Sequence, residues 1–440
     1  MFDVVVIGGG MIGASAARHL AQSGLDVGVV APPEPVDAAV HTGPFGAHYD
    51  ETRLSRTIWA DPLEAELMRR AELAKPDIEE FSDRPVYSGP GYLYAAVPDE
   101  DEGLGDLVAG MPEGHGIEVL GPAALAERYP EIHFQEEVVG YLEPGGGCLN
   151  PRALVASQLR AATEAGAHIF TVGASGMTMD PTPTVSLVDG TRIGCRKVLV
   201  ATGAFTNGIG LLERPLALRM KTETVLLAEI GEHEAERLAG LPPMHYGIHD
   251  PVVADIYAAP PTTYPDGSVL LKWGANTIRD RWVERPDEIA AWYRHGDGDD
   301  IVELMRPSME ATYPGIEVTG WRTHRCVVTY TGHGHTYIDA VEPGRLYLAV
   351  GGHGRSAKCA DPLGALAASL VANDAWVDPL PADRFRAMYQ GEVEDWPCRD
   401  LMADRPTDLN QGPRNRPPQV SIRVVNPTAA AARSSRADRT

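Results

Sequence analysis

The chain has 440 residues, 44% of them hydrophobic and 22% charged, and a formal net charge of −23 at pH 7. This length and composition are typical of a globular protein with two domains or one large domain, and they exclude a fibrous chain. The negative charge repels nucleic acid and anionic membranes, so we expect neither as a partner.

No targeting segment or membrane span is predicted. The N-terminus leads into the first predicted strand without a basic region, and no apolar run approaches the ~20 residues that a membrane helix needs. We therefore expect a cytoplasmic protein. The cysteines show no C-x-x-C or zinc-finger spacing, so neither a disulfide framework nor a metal site is expected. They are Cys148, Cys195, Cys326, Cys359 and Cys398.

The N-terminal stretch VVVIGGGMIGASAARHL predicts a strand, a glycine turn and a helix. The strand is predicted at 4–7, the helix ends near residue 23, and a second strand follows at 27–30. Gly8, Gly10 and Gly13 have the G-x-G-x-x-G spacing, which allows a tight turn, the approach of a pyrophosphate to the helix N-terminus, and close packing of helix on strand. This unit predicts dinucleotide binding.

The second strand ends without the acidic residue that usually binds a ribose hydroxyl. Ala31 stands there, followed by Pro32, Pro33 and Glu34. The absence of a basic residue argues against NADP. Losing one charge-assisted hydrogen bond costs roughly 1.5–3 kcal/mol unless Glu34 or a backbone group replaces it. A flavin that stays in place tolerates that loss better than a nicotinamide cofactor that is captured at each turnover.

Helices are predicted next at 60–80 and 151–165, with strands and turns in the run VYSGPGYLYAAV between them. A strand at 198–201 then runs into Thr202 and Gly203, a small-residue turn of the kind at which backbone meets a ligand. Residues 216–320 alternate apolar and polar positions like an antiparallel sheet, with a helical stretch near 287–313.

The run GRLYLAVGGHG near residue 350 repeats the sequence of strand and glycine turn. The junctions at Gly8, Gly203 and Gly351 would meet if one parallel sheet were assembled from these distant segments. Residues 404–440 are rich in Pro, Arg, Ala and Ser, so we expect a disordered tail. A basic tail of this kind either is solvated or binds an anionic partner.

Six segments in this order resemble the D-amino-acid oxidase superfamily, and within it the monomeric sarcosine oxidase group, which includes N-methyltryptophan oxidase. The similarity covers roughly residues 1–385. The segments are GGGMIG, HYDETRLSR at 48–56, KVLVATGAF, LLKWG at 270–274, HRCVVTYTGHGHTYID at 324–339, and AVGGHGRSAK at 349–358.

The resemblance implies an α/β fold with a Rossmann-like FAD-binding domain built from discontinuous segments and a substrate domain with a mainly antiparallel sheet (α+β). We place the FAD-binding domain at 1–80, 140–215 and 321–395, and the substrate domain at 81–139 and 216–320. The residues that the resemblance and the glycine motif assign to the cofactor are Gly8, Gly10, Met11, Ile12, Gly13, Thr52, Arg53, Thr202, Gly203, Cys326, Gly351, Gly352, His353, Gly354 and Lys358.

The resemblance also implies that Cys326, which precedes an Ile338-Asp339 pair, forms a thioether to the 8α-methyl group of the flavin. A thiolate is the required nucleophile, and flanking positive charge from Arg325 or His324 would lower its pKa. The alternative is that Cys326 is a buried residue of a strand. A tethered FAD would not depend on the ribose contact that Ala31 cannot make.

Lys272 and Arg53 are catalytic candidates. In the resembled group a lysine at the position of Lys272 lies near flavin N5 and promotes the reaction with oxygen, and an arginine like Arg53 lies near the flavin ring. A fixed cation there would stabilise the negative charge that develops on oxygen. The alternative for Lys272 is a solvent-facing position on its strand.

The resemblance assigns a substrate carboxylate to Arg56 and Lys358. Two residues are inserted between His353 and Lys358 relative to the family pattern, so Arg355 is an alternative to Lys358 in this role.

The predicted substrate pocket departs from the sarcosine oxidase pattern. Asn276 stands in place of a histidine and Val328 in place of a tyrosine, while Tyr257, a further catalytic candidate, keeps an aromatic ring. These changes favour a bulkier or cyclic secondary amino acid over sarcosine. The histidines His48, His333, His335 and His353 lack a matching carboxylate motif, so no metal site is expected.

The function expected from these residues is FAD-dependent oxidation of the C–N bond of a secondary, cyclic or N-methyl amino acid to an imine, with oxygen reduced to hydrogen peroxide. The alternatives are a flavin-dependent dehydrogenase that uses another electron acceptor, a non-catalytic flavin-binding protein, and an NAD-linked dehydrogenase. The expected partners are a small amine or amino acid and molecular oxygen, and we expect a monomer.

Overall fold

The structure is a computed structural model that describes residues 1–98, 100–101, 103–111, 114, 116–298 and 300–397. The predicted tail at 404–440 and Cys398 lie outside the described residues.

The described part of the chain contains strands, often in consecutive runs, and helices, with short 3₁₀ helices at Gly203–Phe205 and Ala382–Phe385. The strands are β1 (Phe2–Ile7), β2 (Val27–Val30), β3 (Arg53–Ser55), β4 (Tyr87–Ser88), β5 (Tyr92–Ala96), β6 (Glu118–Leu120), β7 (Val139–Glu143), β8 (Gly147–Leu149), β9 (His168–Phe170), β10 (Ala174–Thr178), β11 (Thr184–Leu187), β12 (Arg192–Val200), β13 (Leu218–Ile230), β14 (Met244–Gly247), β15 (Val253–Thr263), β16 (Val269–Thr277), β17 (Trp282–Val283), β18 (Val318–Thr331), β19 (Tyr337–Glu342) and β20 (Leu346–Val350). The helices are α1 (Met11–Gln22), α2 (Pro62–Glu79), α3 (Leu104–Ala109), α4 (Pro122–Arg128), α5 (Pro151–Glu164), α6 (Glu232–Leu238), α7 (Pro286–His295), α8 (Asp300–Thr312) and α9 (Ala360–Asn373).

A parallel sheet is built from distant parts of the chain, as the sequence predicts. Its strands lie in the order β20, β12, β1, β2, β9, with the antiparallel strands β11 and β10 extending β12 and β19 paired to β20. Because neighbouring parallel strands end at the same edge, the turns after β1, β12 and β20 lie side by side.

The predicted helix positions are close to the observed ones, and side chains cap the N-termini of α2 and α5. The Asp61 side chain accepts hydrogen bonds from the first amides of α2, and the Asn150 side chain does the same for α5. The stretch predicted as one helix near 287–313 is instead two helices, α7 and α8. Gly296 follows the last residue of α7 and ends that helix.

Helices α1, α5 and α9 pack together on the parallel sheet around one carboxylate. Asp361 in α9 accepts hydrogen bonds from Arg18 (2.7 Å) and Ser15 (3.1 Å) of α1 and from Gln158 (2.9 Å) of α5. A Cβ on Gly364 of α9 would lie 2.4 Å from the Ser15 side chain, so this glycine sets how closely α1 and α9 approach.

The second large sheet has nine strands and is mostly antiparallel. Its order is β17, β13, β16, β15, β14, β5, β7, β6, and β18 pairs with β13 over its whole length. Alternate residues of the strands face opposite sides. Leu226, Leu271 and Trp273 face a hydrophobic core with Met305 and Met309 of α8. The residues between them, among them Lys272, point to the other face of the sheet.

The two sheets confirm the predicted α/β class with an additional antiparallel layer. By their hydrogen bonds, β18 and β7 belong to the nine-stranded sheet, whereas the boundaries proposed from the sequence put most of both strands with the FAD-binding segments. The small sheet formed by β3, β8 and β4 lies outside both large sheets. Within the described part of the chain, no helix is long and apolar enough to cross a membrane.

Candidate active site

The turns at the edge of the parallel sheet form a close-packed cradle. Gly8 follows β1 with a φ of 111°, and a Cβ there would lie 2.4 Å from the Ala201 carbonyl oxygen. A Cβ on Gly13 would lie 1.9 Å from the Gly8 carbonyl oxygen. At Gly10, the residue before α1, an added Cβ meets no atom within 4 Å. The turn is therefore tight where helix meets strand and open where a pyrophosphate would approach.

A cavity of about 1280 Å³, counting its open mouth, begins at this cradle and is called the cofactor cavity here. It contains eleven of the fifteen residues predicted to hold the cofactor: Gly8, Gly10, Met11, Ile12, Arg53, Thr202, Gly203, Cys326, Gly351, Gly352 and Gly354. Of the other four, Gly13 and Thr52 line neither cavity, and His353 and Lys358 line a second cavity.

Sequence reasoning missed an aromatic wall of the cofactor cavity. The rings of Phe45 and Tyr293 stack with centroids 4.7 Å apart and planes 11° apart. His48 lies in the same wall, and burial, with Arg152 and Arg53 nearby, lowers its pKa to about 4, so its ring is neutral. Its Nδ1 atom is buried without a hydrogen-bond partner among the described residues. The wall therefore offers flat apolar surface and one polar atom to a ligand.

The acidic residue nearest to Ala31 is already paired. Glu34 accepts two hydrogen bonds from Arg152, at 2.7 and 2.6 Å, and Arg152 also donates to Glu51. Ala31 itself is buried and donates its amide hydrogen to Phe170 O, which extends the sheet. Glu34 is not among the residues that line the cofactor cavity.

The second cavity, called the substrate cavity here, has a volume of about 1070 Å³ with its open mouth and lies over the nine-stranded sheet. It shares one wall with the cofactor cavity. The shared residues are Arg53, Cys326, Val328, Gly354 and Ala357. A cofactor in the first cavity would therefore border a ligand in the second.

Cationic side chains surround Trp59 at one end of the substrate cavity. The Arg56 guanidinium lies 4.1 Å from the Trp59 ring centroid and the Lys358 ammonium lies 5.6 Å from it. Arg56 is 3% exposed, and its Nε and Nη1 atoms have no hydrogen-bond partner in the described chain. Burial, then the charges of Arg56 and Arg355, lower the pKa of Lys358 to about 7. Trp59 and Lys358 line the cavity, whereas Arg56 is not among its lining residues. Two buried cationic side chains without carboxylate partners are suited to bind an anion.

Arg355, the alternative to Lys358, is already paired. Its guanidinium donates to Glu64 Oε1 at 3.0 Å and to the Gly334 carbonyl at 2.6 Å. No described hydrogen bond or ion pair involves the Lys358 ammonium. The arrangement therefore favours Lys358 as the partner of Arg56.

A buried polar cluster on β13, β15 and β16 also lines the substrate cavity. Lys221 donates to Asn276 Oδ1 and lies 3.1 Å from Glu223 Oε1 and 3.4 Å from Asp280 Oδ2. The Tyr257 hydroxyl donates to Glu223 at 3.3 Å. Asn276 and Tyr257 are thus brought together as predicted, while Lys221, Glu223 and Asp280 were missed. Burial raises the pKa of Asp280 to about 7.

Lys272 does not face solvent, which was the alternative for a lysine on this strand. It is 1% exposed and lines the substrate cavity, with Arg53 and Cys326 in the same cavity. Its ammonium donates to Asp50 Oδ2 at 2.8 Å and to the Thr52 carbonyl at 2.7 Å. The Asp50 carboxylate also accepts a hydrogen bond from Arg53. Asp50 is a further residue that sequence reasoning missed, although it lies in the HYDETRLSR segment.

Cys326 lies on β18 in the wall that the two cavities share. Burial raises the pKa of its thiol, while the charges of Arg53 and Lys272 lower it. Arg325, which the sequence suggested for that role, donates to the carbonyls of Tyr293 and Asp297 instead, because neighbouring strand residues point to opposite faces. The described cysteines are all free thiols, and in the described part of the chain no group of three or more His, Cys, Asp and Glu residues could hold a metal ion.

Comparison with known protein families identifies the family to which the chain belongs. The model of the DAO family, described as FAD dependent oxidoreductase, matches residues 3–370. Curated relatives include N-methyl-L-tryptophan oxidase of Citrobacter koseri, 25% identical over 212 residues, and the enzyme of the same name from Salmonella dublin, 25% identical over 211 residues. Each match covers 47% of this chain and 55% of the relative, so the chain matches little more than half the length of these relatives.

Solved structures with this fold include amino acid oxidases and a dehydrogenase. NikD, an unusual amino acid oxidase essential for nikkomycin biosynthesis, aligns with a TM-score of 0.69 at 18% identity and covers 90% of this chain and 99% of its own. L-Proline dehydrogenase from P. horikoshii aligns with a TM-score of 0.65 at 17% identity, covering 88% and 96%. At these identities the likeness shows the fold.

Proposed function

The chain belongs to the FAD-dependent oxidoreductase family, and on that premise we propose that it oxidises the C–N bond of a secondary, cyclic or N-methyl amino acid to an imine and passes the electrons to oxygen. The observation that carries the amino acid assignment is the buried Arg56 and Lys358 pair beside Trp59. A carboxylate is the substrate group that this pair fits.

The described residues fit FAD. The open turn at Gly10 and the N-terminus of α1 suit the pyrophosphate, and the wall of Phe45, Tyr293 and His48 offers apolar surface with one unpartnered nitrogen. FAD supplies the redox chemistry when bound, by accepting two electrons and a proton from the amine. We propose that Cys326, in the wall shared by both cavities, is the residue that carries FAD covalently.

The protein residues orient and desolvate the substrate. Arg56 and Lys358 hold its carboxylate at the Trp59 end, which directs the adjacent amine towards the shared wall. The cavity continues across the sheet to Asn276 and Tyr257, so a side chain or ring larger than that of sarcosine has space there. Oxidation of the amine to the imine releases two electrons and two protons, and oxygen takes up both to form hydrogen peroxide.

The test compares each substrate with its decarboxylated amine. N-methyl amino acids and proline-like or pipecolate-like ring acids are screened for anaerobic bleaching of the flavin, and peroxide is then measured in air. Arg56→Ala should cost the amino acid about 3–5 kcal/mol of binding or transition-state stabilisation, because its carboxylate is left buried without a partner. The amine without a carboxylate should lose far less of this free energy. The difference between the two losses measures the contact between Arg56 and the carboxylate.

The control is Arg70→Gln, which removes a cation that is paired with Asp378 outside both cavities. It should not change the ratio of the two activities, whereas Lys358→Met should change it in the same direction as Arg56→Ala. Equal losses for both compounds in Arg56→Ala would show that Arg56 supports the fold or the flavin and does not bind a carboxylate. Flavin bleaching without peroxide in air would indicate a dehydrogenase.

A further inference from the structure

The Lys272 side chain is held by a buried carboxylate that lines neither cavity. Its ammonium is 2.8 Å from Asp50 Oδ2, and the side chains of both residues are 1% exposed. Asp50 also accepts hydrogen bonds from the Tyr264 hydroxyl at 2.7 Å, from the Glu51 amide at 2.8 Å, and from Arg53. Four hydrogen-bond donors therefore surround this one carboxylate.

We propose that Asp50 is a positioning residue that keeps Lys272 protonated beside the cofactor cavity and thereby sets the pH range in which the protein passes electrons to oxygen. The inference rests on the proposed function, since it takes Lys272 as the cation that assists oxygen reduction. Each oxygen molecule takes up two electrons and two protons and leaves as hydrogen peroxide. The first electron places negative charge on oxygen, which a nearby fixed cation stabilises.

The groups around Lys272 show why the carboxylate is needed. Burial, and then the charge of Arg53, lower the pKa of the Lys272 ammonium. The other titratable groups that face it are the thiols of Cys148 and Cys326 and the ring of His324. Burial raises the pKa of both thiols and lowers that of His324, so all three are uncharged at neutral pH. Among the described residues, Asp50 is therefore the one anion in contact with Lys272.

Asp50→Asn tests the proposal because it removes the charge and keeps the shape. Without the carboxylate, burial and Arg53 act unopposed, and Lys272 should lose its proton within the neutral range. We expect flavin reoxidation, measured after anaerobic reduction, to be independent of pH in the wild type between pH 6 and 9. In Asp50→Asn it should fall at least ~10-fold as pH rises across this range, towards the rate of Lys272→Met.

A second measurement does not depend on turnover. In Asp50→Asn the folded protein should bind about one proton fewer than the unfolded chain between the lowered pKa of Lys272 and its unfolded value near 10.4. The free energy of unfolding of the variant should then rise with pH over that interval, with a slope equivalent to about one proton. The wild type should show this slope only at higher pH than the variant, because Asp50 holds the folded-state pKa of Lys272 above its value in Asp50→Asn.

Three further variants separate the possible causes. Asp378→Asn removes a different ion-paired carboxylate, outside both cavities, and should leave the pH profile of reoxidation unchanged. Asp50→Asn combined with Lys272→Met should match Lys272→Met alone, since Asp50 acts through the lysine. Asp50→Asn combined with Lys272→Arg should show no pH dependence, because a guanidinium does not lose its proton.

A reoxidation rate in Asp50→Asn that is lowered equally at every pH, without the unfolding slope, would overturn the proposal. If that variant does not fold, Asp50→Ala, which leaves space for water, replaces it. The same pH profile of reoxidation and the same unfolding slope then support or contradict the proposal. Failure of the proposed function gives a different result: Lys272→Met would then reoxidise as fast as the wild type. Slow reoxidation in Lys272→Met with a flat profile in Asp50→Asn contradicts the role of Asp50 alone.

Discussion

Lys272 and Lys358 are both buried lysines at the substrate cavity, but their surroundings differ. Lys272 contacts a carboxylate, whereas Lys358 has two guanidinium groups nearby and a pKa lowered to about 7 by burial and by those charges. A lysine with that pKa gains or loses its charge within the physiological range. The affinity of the Arg56 and Lys358 pair for a carboxylate should therefore depend on pH through the charge of Lys358.

Binding of an amine-free carboxylic acid should show this titration directly, because such a ligand has no ammonium group of its own. The charged form of Lys358 is present below pH 7, so affinity should be constant there and fall by up to ~10-fold per pH unit above it. Difference spectra of the bound flavin give the dissociation constant. Lys358→Arg, whose guanidinium does not titrate, should bind with little change up to pH 9, and a flat profile in the wild type would contradict a lowered pKa.

Sequence reasoning placed Arg53, Arg56, Lys272 and Lys358 at one site, because each stands in a short segment with a recognisable pattern. It did not find Asp50, whose partner Lys272 is 222 residues away along the chain. A carboxylate in a loop carries no local sign that it will be buried against a particular cation. Lys221 and Glu223 were missed for the same reason, since a strand shows alternation but not which face meets a cavity.

At the scale of elements, Asp361 holds α1 and α5 to α9. Burial raises the pKa of this carboxyl, but hydrogen bonds and charge from His19 and Arg18 outweigh it, and the pKa lies below its usual value. The Arg18 and Asp361 side chains are 3% and 7% exposed. The helix that begins at the cofactor cradle is thus fixed to the fold by a buried ion pair.

Asp361→Ala should lower the free energy of unfolding by about 3–5 kcal/mol at pH 7, because Arg18 is left buried without its partner. A carboxyl with a lowered folded pKa stabilises the protein above its unfolded pKa of about 3.9, so the difference from the wild type should shrink as the pH falls below that value. Urea unfolding at several pH values measures it. Asp378→Asn, at a more exposed pair with Arg70, should cost less than about 1 kcal/mol. A similar cost at both sites would contradict the argument.

The predicted elements were most accurate where hydrophobic period and caps agree. The bounds of α1, α2 and α5 differ from prediction by one or two residues, since glycine, Asp61 and Asn150 mark their ends. The stretch 287–313 was predicted as one helix because apolar residues recur at helical spacing on both sides of Gly296. The two helices are separated by a turn that begins at Gly296, and the spacing of apolar residues does not reveal such a turn.

At the scale of the molecule, the cofactor cavity joins the two large sheets. Its cradle belongs to the parallel sheet, and Cys326 belongs to β18 of the nine-stranded sheet. The sequence predicted the convergence of the three glycine junctions through the rules for parallel strands. The sequence did not show which sheet contains β18, because the alternation of residues in a strand does not identify the strand that pairs with it.

A covalent flavin at Cys326 would therefore connect the two sheets. We expect the wild type to stay yellow after acid precipitation and Cys326→Ala to release its flavin into the supernatant. The variant should also unfold at a lower temperature when free FAD is removed, because the stabilisation from a ligand that dissociates is lost as its free concentration falls. Cys195→Ala, at a buried cysteine outside both cavities, should retain the flavin. Colourless acid-washed wild type would remove the covalent assignment.

Ala31 at the end of β2 has a consequence for selectivity. With Glu34 occupied by Arg152, no described carboxylate lines the cofactor cavity to identify the adenosine sugar. If FAD binds as proposed, discrimination among dinucleotides would depend on the residues at the flavin, for which we propose Arg53, Tyr293 and Cys326. The protein would then select its cofactor by the ring that reacts, whereas nicotinamide enzymes distinguish NAD from NADP at the adenosine ribose.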